Sequence, residues 1–146
     1  MGKVLVPIGD AAEAMDTLYP YFRVREEGYE AVIAGPEARV YPLVMHEIPP
    51  GWDITRESAS YHLKADVAFR DVDPAEFTGL FITGGRAPEY LRYDADLLNI
   101  VKHFFDTGKP VAVVCHGAEI VAAADVIRGK RIATVAKCRK DVELCG

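Results

Sequence analysis

A cysteine and a histidine stand side by side at positions 115 and 116, directly after an unbroken apolar run, in the stretch VAVVCHGAEIV. A thiolate is the strongest nucleophile among ordinary side chains, and an adjacent imidazole can take up or return its proton near neutral pH. If Val111–Cys115 forms a strand and the residues after Gly117 a helix, Cys115 occupies a sharp strand-to-helix turn. That is the mechanics of the nucleophile elbow, with Gly117 letting the turn pass close to neighbouring backbone. Unpaired amides and the helix dipole at such a turn favour an anion, so the Cys115 thiol is expected below its ordinary pKa. The competing reading is a small hydrophobe buried at a strand end, since free cysteine is among the most buried residue types. Spacing alone leaves both open.

A metal centre is not expected from spacing. Cys115, Cys138 and Cys145 include no closely spaced pair, and adjacent Cys115 and His116 would point in different directions. No cofactor is implied either.

The elements that must position Cys115 read as alternating strands and helices. The run KVLVPI (3–8) is a buried strand ending at Gly9 and Asp10. Residues 11–27 predict a helix with Met15, Leu18, Tyr19 and Phe22 on its apolar face, a bend at Pro20 and a left-handed stop at Gly28. A second strand follows over 29–35. Residues 36–65, with Pro36, Pro42, Pro49, Pro50 and Gly51, read as an irregular insertion or a hairpin with a long loop, in which Trp52 either covers the core or serves an oligomer contact.

GLFIT (79–83) is a third strand running into Gly84 and Gly85. Asp94 caps a helix whose Leu97, Leu98, Val101, Phe104 and Phe105 share a face, and Gly108 with Pro110 stops it. Strands four and five are placed at 111–115 and 131–135. Continuous apolar strands between helices predict an α/β fold, a doubly wound, flavodoxin-like parallel sheet with helices on both faces, in a single domain over 1–146. Such sheets carry their sites beyond the carboxyl ends of the strands, where Cys115 falls.

Composition narrows the partners. With 50% hydrophobic and 27% charged residues, the 146-residue chain can bury a core of its own. A net charge of −5, with Lys and Arg scattered, argues against nucleic acid. No stretch reaches bilayer length, so no membrane partner is expected. The N-terminal MGKVLVPIGD lacks the three zones of a signal peptide, and the odd cysteine count suits reduced thiols, so a cytoplasmic location is expected.

Three blocks in order, EAMDTLYPYFRVREEGYEAVIA, FITGGRAPEYL and VAVVCHGAEI, span nearly the whole chain. Together they resemble the ThiJ/PfpI (DJ-1/PfpI) superfamily, nearest its PfpI-type intracellular proteases and plant-type glyoxalases. The resemblance implies a nucleophile at Cys115 followed by His116, and a buried carboxyl group at Glu13 facing the sulfur. It implies that Glu89 orients the histidine of a neighbouring subunit, hence a homo-oligomer, a dimer or larger. It further implies an oxyanion hole from the amides of Gly85 and His116, with Gly84 and Gly117 shaping the two turns. A carboxyl group and a thiolate in contact should share one proton.

The chain also departs from the family pattern. Thr83 stands where proline commonly precedes the two glycines, and Ala118 where proline often follows CHG. The chain stops at KCRKDVELCG, where relatives continue with further sheet edge and a closing helix, so a missing C-terminal part is expected.

Two enzymatic readings share the site. In one, the thiolate adds to a small reactive α-oxoaldehyde, and a proton shuttle and hydrolysis release a hydroxy acid without glutathione. In the other, Cys115 attacks a peptide carbonyl and His116 protonates the leaving amine. A third reading is non-catalytic, a redox sensor or chaperone, for which an accessible thiol also suffices.

Overall fold

The computed structural model describes residues 2–146. The first β-branched run forms β1 (Lys3–Pro7), and a two-residue strand, β2 (Ala12–Glu13), leads into α1 (Ala14–Glu26). Gly28, at φ 84°, ends this helix as its sequence position predicts. β3 (Glu30–Gly35) then lies parallel to β1, with Leu5 opposite Val32.

The proline-rich segment is more regular than its composition suggests. β4 (Val40–Glu47) and β5 (Arg56–Lys64) pair antiparallel, and β2 pairs parallel with β4 to complete a three-stranded second sheet. Pro42 is accommodated at a register shift between Pro42 and Val44, where its missing N–H breaks no regular ladder bond. Trp52 sits in the loop joining these strands and is 52% exposed, so it does not cover the core.

β6 (Val67–Ala68) edges the main sheet beside β3. After it come β7 (Gly79–Ile82), α2 (Ala87–Leu91), α3 (Ala95–Asp106), β8 (Val111–Val113), α4 (Ala118–Ala123) and α5 (Arg139–Leu144). The main sheet is parallel throughout, in the order β6-β3-β1-β7-β8. The chain moves one way from β1 to β3 through α1, and the other way from β7 to β8 through α3. Right-handed crossovers in opposite directions place those helices on opposite faces, which is the doubly wound arrangement.

The core lies between sheet and helices. Leu5, Val6, Ile33, Leu80 and Ile82 from the strands are at most 2% exposed, and Leu97, Val101 and Phe104 of α3 are fully buried. The side chain of Asp94 accepts from Leu97 N at 3.0 Å and caps α3.

Two expectations fail here. The stretch 131–135 is not a strand; β8 is the edge of the main sheet on that side, and the fifth strand is β6, beside β3 at the other edge. The buried side of α1 is Ala14, Thr17 and Pro20; of the four residues expected to face the core, Leu18 packs against it partly buried, while Met15, Tyr19 and Phe22 are 66%, 64% and 56% exposed. Pro20 is a buried member of a helix that runs on past it.

Candidate active site

Cys115 follows β8 and opens a one-turn 3-10 segment, Cys115–Gly117, that runs into α4. Its φ of 55° is left-handed, a conformation a side-chain-bearing residue adopts only when its surroundings enforce it. Val114 N donates to Ile82 O at 3.1 Å and Gly117 N to Val114 O at 2.9 Å, so the turn is pinned on both sides. Gly117 is required by contact: a Cβ there would stand 2.8 Å from Thr83 O and 3.0 Å from Ile82 O.

The strained turn brings the two neighbouring side chains together. Cys115 Sγ lies 3.2 Å from His116 Nδ1, contrary to the expectation that adjacent residues would diverge. The left-handed φ is the physical reason, because it swings the Cys115 side chain out of the alternation of the strand. Both residues are half-buried and line an open cavity of about 460 Å³, the size class of small-molecule sites.

The second wall of the sulfur comes from the loops after β1 and β7. The amides of Gly85 and His116 both donate toward Cys115. Gly85 has φ 84° and is clasped by backbone, since a Cβ there would collide with Ala11 O and Glu13 N. Thr83, in place of the usual proline, is buried and satisfied by donating to Pro7 O at 3.1 Å, which ties the end of β7 to the end of β1.

The carboxyl group facing the sulfur is that of Asp16, not Glu13. A Cβ on Gly84 would run into Asp16 Oδ2 and stand 3.0 Å from Cys115 Sγ, so the two groups converge above that glycine. Asp16 Oδ2 is buried and makes no hydrogen bond of its own. Glu13 does line the same cavity and is 6% exposed, but its Oε2 accepts from Asp16 N at 2.7 Å as the N-cap of α1. The cap directs the Glu13 carboxylate to backbone and aims the residue one turn on at the thiol.

Electrostatics follow from that crowding. Burial raises the Asp16 carboxyl above the usual carboxylate range, and the nearby Glu13 charge adds to it. Burial likewise pushes the Cys115 thiol up, with the Asp16 charge acting in the same direction, while the Gly85 and His116 amides oppose. The thiol is thus raised and not lowered as the helix-dipole reasoning predicted. α4 spans only six residues, and burial of the sulfur, with the Asp16 charge added, outweighs so short a dipole.

His46 on β4 is a cavity-lining residue that the sequence gave no reason to single out. Its Nε2 lies 3.1 Å from Glu57 Oε2, and Arg86 Nε holds the same carboxylate oxygen at 3.0 Å. Only the antiparallel pairing of His46 with Glu57 across the hairpin brings the dyad about. Met15, Ile48 and Ile54 add an apolar rim. Glu89 on α2 is exposed and its carboxylate makes no hydrogen bond or ion pair among the described residues, so within one chain it is not joined to His116.

This architecture can be set against known proteins. A family model described as the DJ-1/PfpI family matches residues 2–146. The chain belongs to the DJ-1/PfpI family.

Among the relatives of this DJ-1/PfpI chain, the deglycase TK1284 of Thermococcus kodakarensis is 35% identical over 144 residues, covering 99% of this chain and 78% of that protein. The deglycase PfpI of Pyrococcus furiosus is 35% identical over 140 residues, covering 96% and 76%. A crystal structure of a two-domain protein from Anabaena variabilis, with DJ-1/ThiJ/PfpI-like and ferritin-like domains, superposes with a TM-score of 0.81 at 25% identity, covering all of this chain and 38% of that one. The family and the parallel-sheet fold thus agree with the resemblance read from the three sequence blocks.

Proposed function

We propose that this chain is a cysteine-nucleophile enzyme acting on α-oxoaldehydes or their adducts, of glyoxalase or deglycase type and independent of glutathione. The observation that carries the reading is the Cys115–His116 contact of 3.2 Å at a left-handed turn opening into a cavity. Relatives named deglycases at 35% identity support it.

The chemistry can be balanced on the residues present. His116 or Asp16 takes the thiol proton, and Cys115 Sγ adds to the aldehyde carbon to give a hemithioacetal. Gly85 and His116 amides meet the oxyanion. A base then removes the proton from the former aldehyde carbon and an acid returns one to the neighbouring carbon, leaving a thioester; Asp16, His116 and His46 all line the cavity in which this occurs. Water cleaves the thioester, so methylglyoxal plus water becomes lactate and the thiol is regenerated. Free thiols at Cys115, Cys138 and Cys145 suit a reducing compartment such as the cytoplasm. No helix among the described residues is long and apolar enough to cross a membrane.

The deciding assay is lactate release from methylglyoxal by wild type and Cys115→Ser. Release by wild type that disappears in the variant supports the reading. Casein cleavage without lactate would transfer the same residues to a PfpI-type peptidase, and neither activity would leave a redox sensor.

A further inference from the structure

Spacing gave no metal site, yet the fold assembles one candidate set from residues distant in the chain. Ligand atoms of His116, Glu119 and Cys138 all lie within 4.8 Å of one another. Cys138 Sγ donates to Glu119 Oε1 at 3.4 Å. Tetrahedral coordination at bond lengths of about 2.0–2.3 Å puts neighbouring ligand atoms about 3.5 Å apart, so this pair already has the required separation. Cys138 is 1% exposed and the Glu119 side chain 10%, and His116 is half-buried, so these are not surface groups brought together by chance of exposure.

The surroundings support coordination. Arg92 Nη1 holds Glu119 Oε2 at 3.4 Å, which orients the carboxylate and leaves Oε1 for the cluster. His116 uses Nδ1 toward Cys115, which leaves Nε2 as the second ring donor. One thiolate, one imidazole and one carboxylate are a borderline-soft set of the kind that selects zinc over magnesium or calcium, and a three-residue set leaves a fourth position open.

We propose that His116, Glu119 and Cys138 bind a divalent cation of the zinc class beside Cys115. On binding, the Cys138 S–H bond breaks and its proton leaves to solvent; metal bonds form to Sγ, Glu119 Oε1 and His116 Nε2; no oxidation occurs. The thiolate and carboxylate together neutralise the cation. With Nε2 on the metal, the ring proton of His116 is held on Nδ1, so that nitrogen cannot take the proton of the Cys115 thiol, and occupancy restrains the nucleophile.

Cobalt(II) is the probe, titrated into the chelator-stripped, reduced full chain. The expected result is a saturable near-ultraviolet thiolate-to-cobalt band that zinc abolishes. The band should vanish in Cys138→Ser, weaken by at least about tenfold in affinity in Glu119→Gln, and persist in Cys115→Ser and Cys145→Ser. Alkylation of Cys115 should slow on adding zinc to wild type and not in Cys138→Ser. Circular dichroism of Cys138→Ser and of Cys138→Ala establishes that the variants fold. No band in wild type overturns the proposal, as does a band that survives in Cys138→Ser and is lost in Cys115→Ser.

Discussion

At the scale of single residues, the proposed chemistry turns on which carboxyl group meets Cys115. The structure places Asp16 there, with Glu13 one helical turn before it acting as the cap that aims it. Since the Asp16 charge helps raise the Cys115 thiol, removing the charge lowers the thiol pKa and enlarges the thiolate fraction at neutral pH. Asp16→Asn, in chelator-stripped protein, is therefore expected to react several-fold faster with iodoacetamide near neutrality, with its rate-versus-pH midpoint displaced toward acid. A midpoint that stays in place or moves toward alkali contradicts the assignment. Turnover should nevertheless fall, because the variant loses a proton carrier while gaining nucleophile. Cys138 behaves differently: burial and Glu119 push its thiol up to about 12, so in the metal-free chain it stays a thiol and does not compete for electrophiles.

At the scale of elements, the Cys115 turn is only as firm as the layers around it. α3 packs Leu97, Val101 and Phe104 into the core, all fully buried, and its first turn depends on Asp94. Phe104→Ala is expected to lower unfolding free energy by about 3–5 kcal/mol, and Asp94→Ala by about 1 kcal/mol, both read by urea denaturation. Equal, small losses would mean that α3 contributes little to holding β7 and β8. Much of this layer was legible from the chain. Apolar runs bounded by glycine located β1, β3, β7 and β8, and Asp94 with its periodic leucines located α3, because each signal is local. What escaped was non-local. Residues 131–135 have strand-like composition, but a strand exists only with a hydrogen-bonding neighbour, and β8 does not pair with them. The buried face of α1 is not legible in the sequence because Pro20 and Thr17 look unlike core residues, and only the sheet beneath decides which side of a helix is covered. Gly85 and His116 could be named from the resemblance of the GGRAPE and CHG blocks. Asp16 and His46 could not, since their placement depends on a cap and on cross-strand pairing.

At the scale of the whole molecule, one sequence-derived role is unassigned inside the chain. Glu89 is exposed on α2 and paired with nothing among the described residues, so any action on a histidine must reach one in a second copy. α1 meanwhile carries Met15, Tyr19 and Phe22, each more than half exposed, at the spacing of one helix face. A contiguous apolar strip of this kind is what an interface between copies would cover. Sedimentation is expected to show a dimer or larger species, and Tyr19→Glu, at a position outside the core, to shift it toward monomer. If Glu89 orients a neighbour's His116, then Glu89→Gln lowers turnover in the assembled protein and has no additional effect in the Tyr19→Glu background, because the contact is already gone. That non-additivity separates an intersubunit role from an independent one, whose losses would simply sum. A monomer that turns over as fast as wild type removes Glu89 from the site and leaves Asp16, His116 and His46 to carry the protons within one chain.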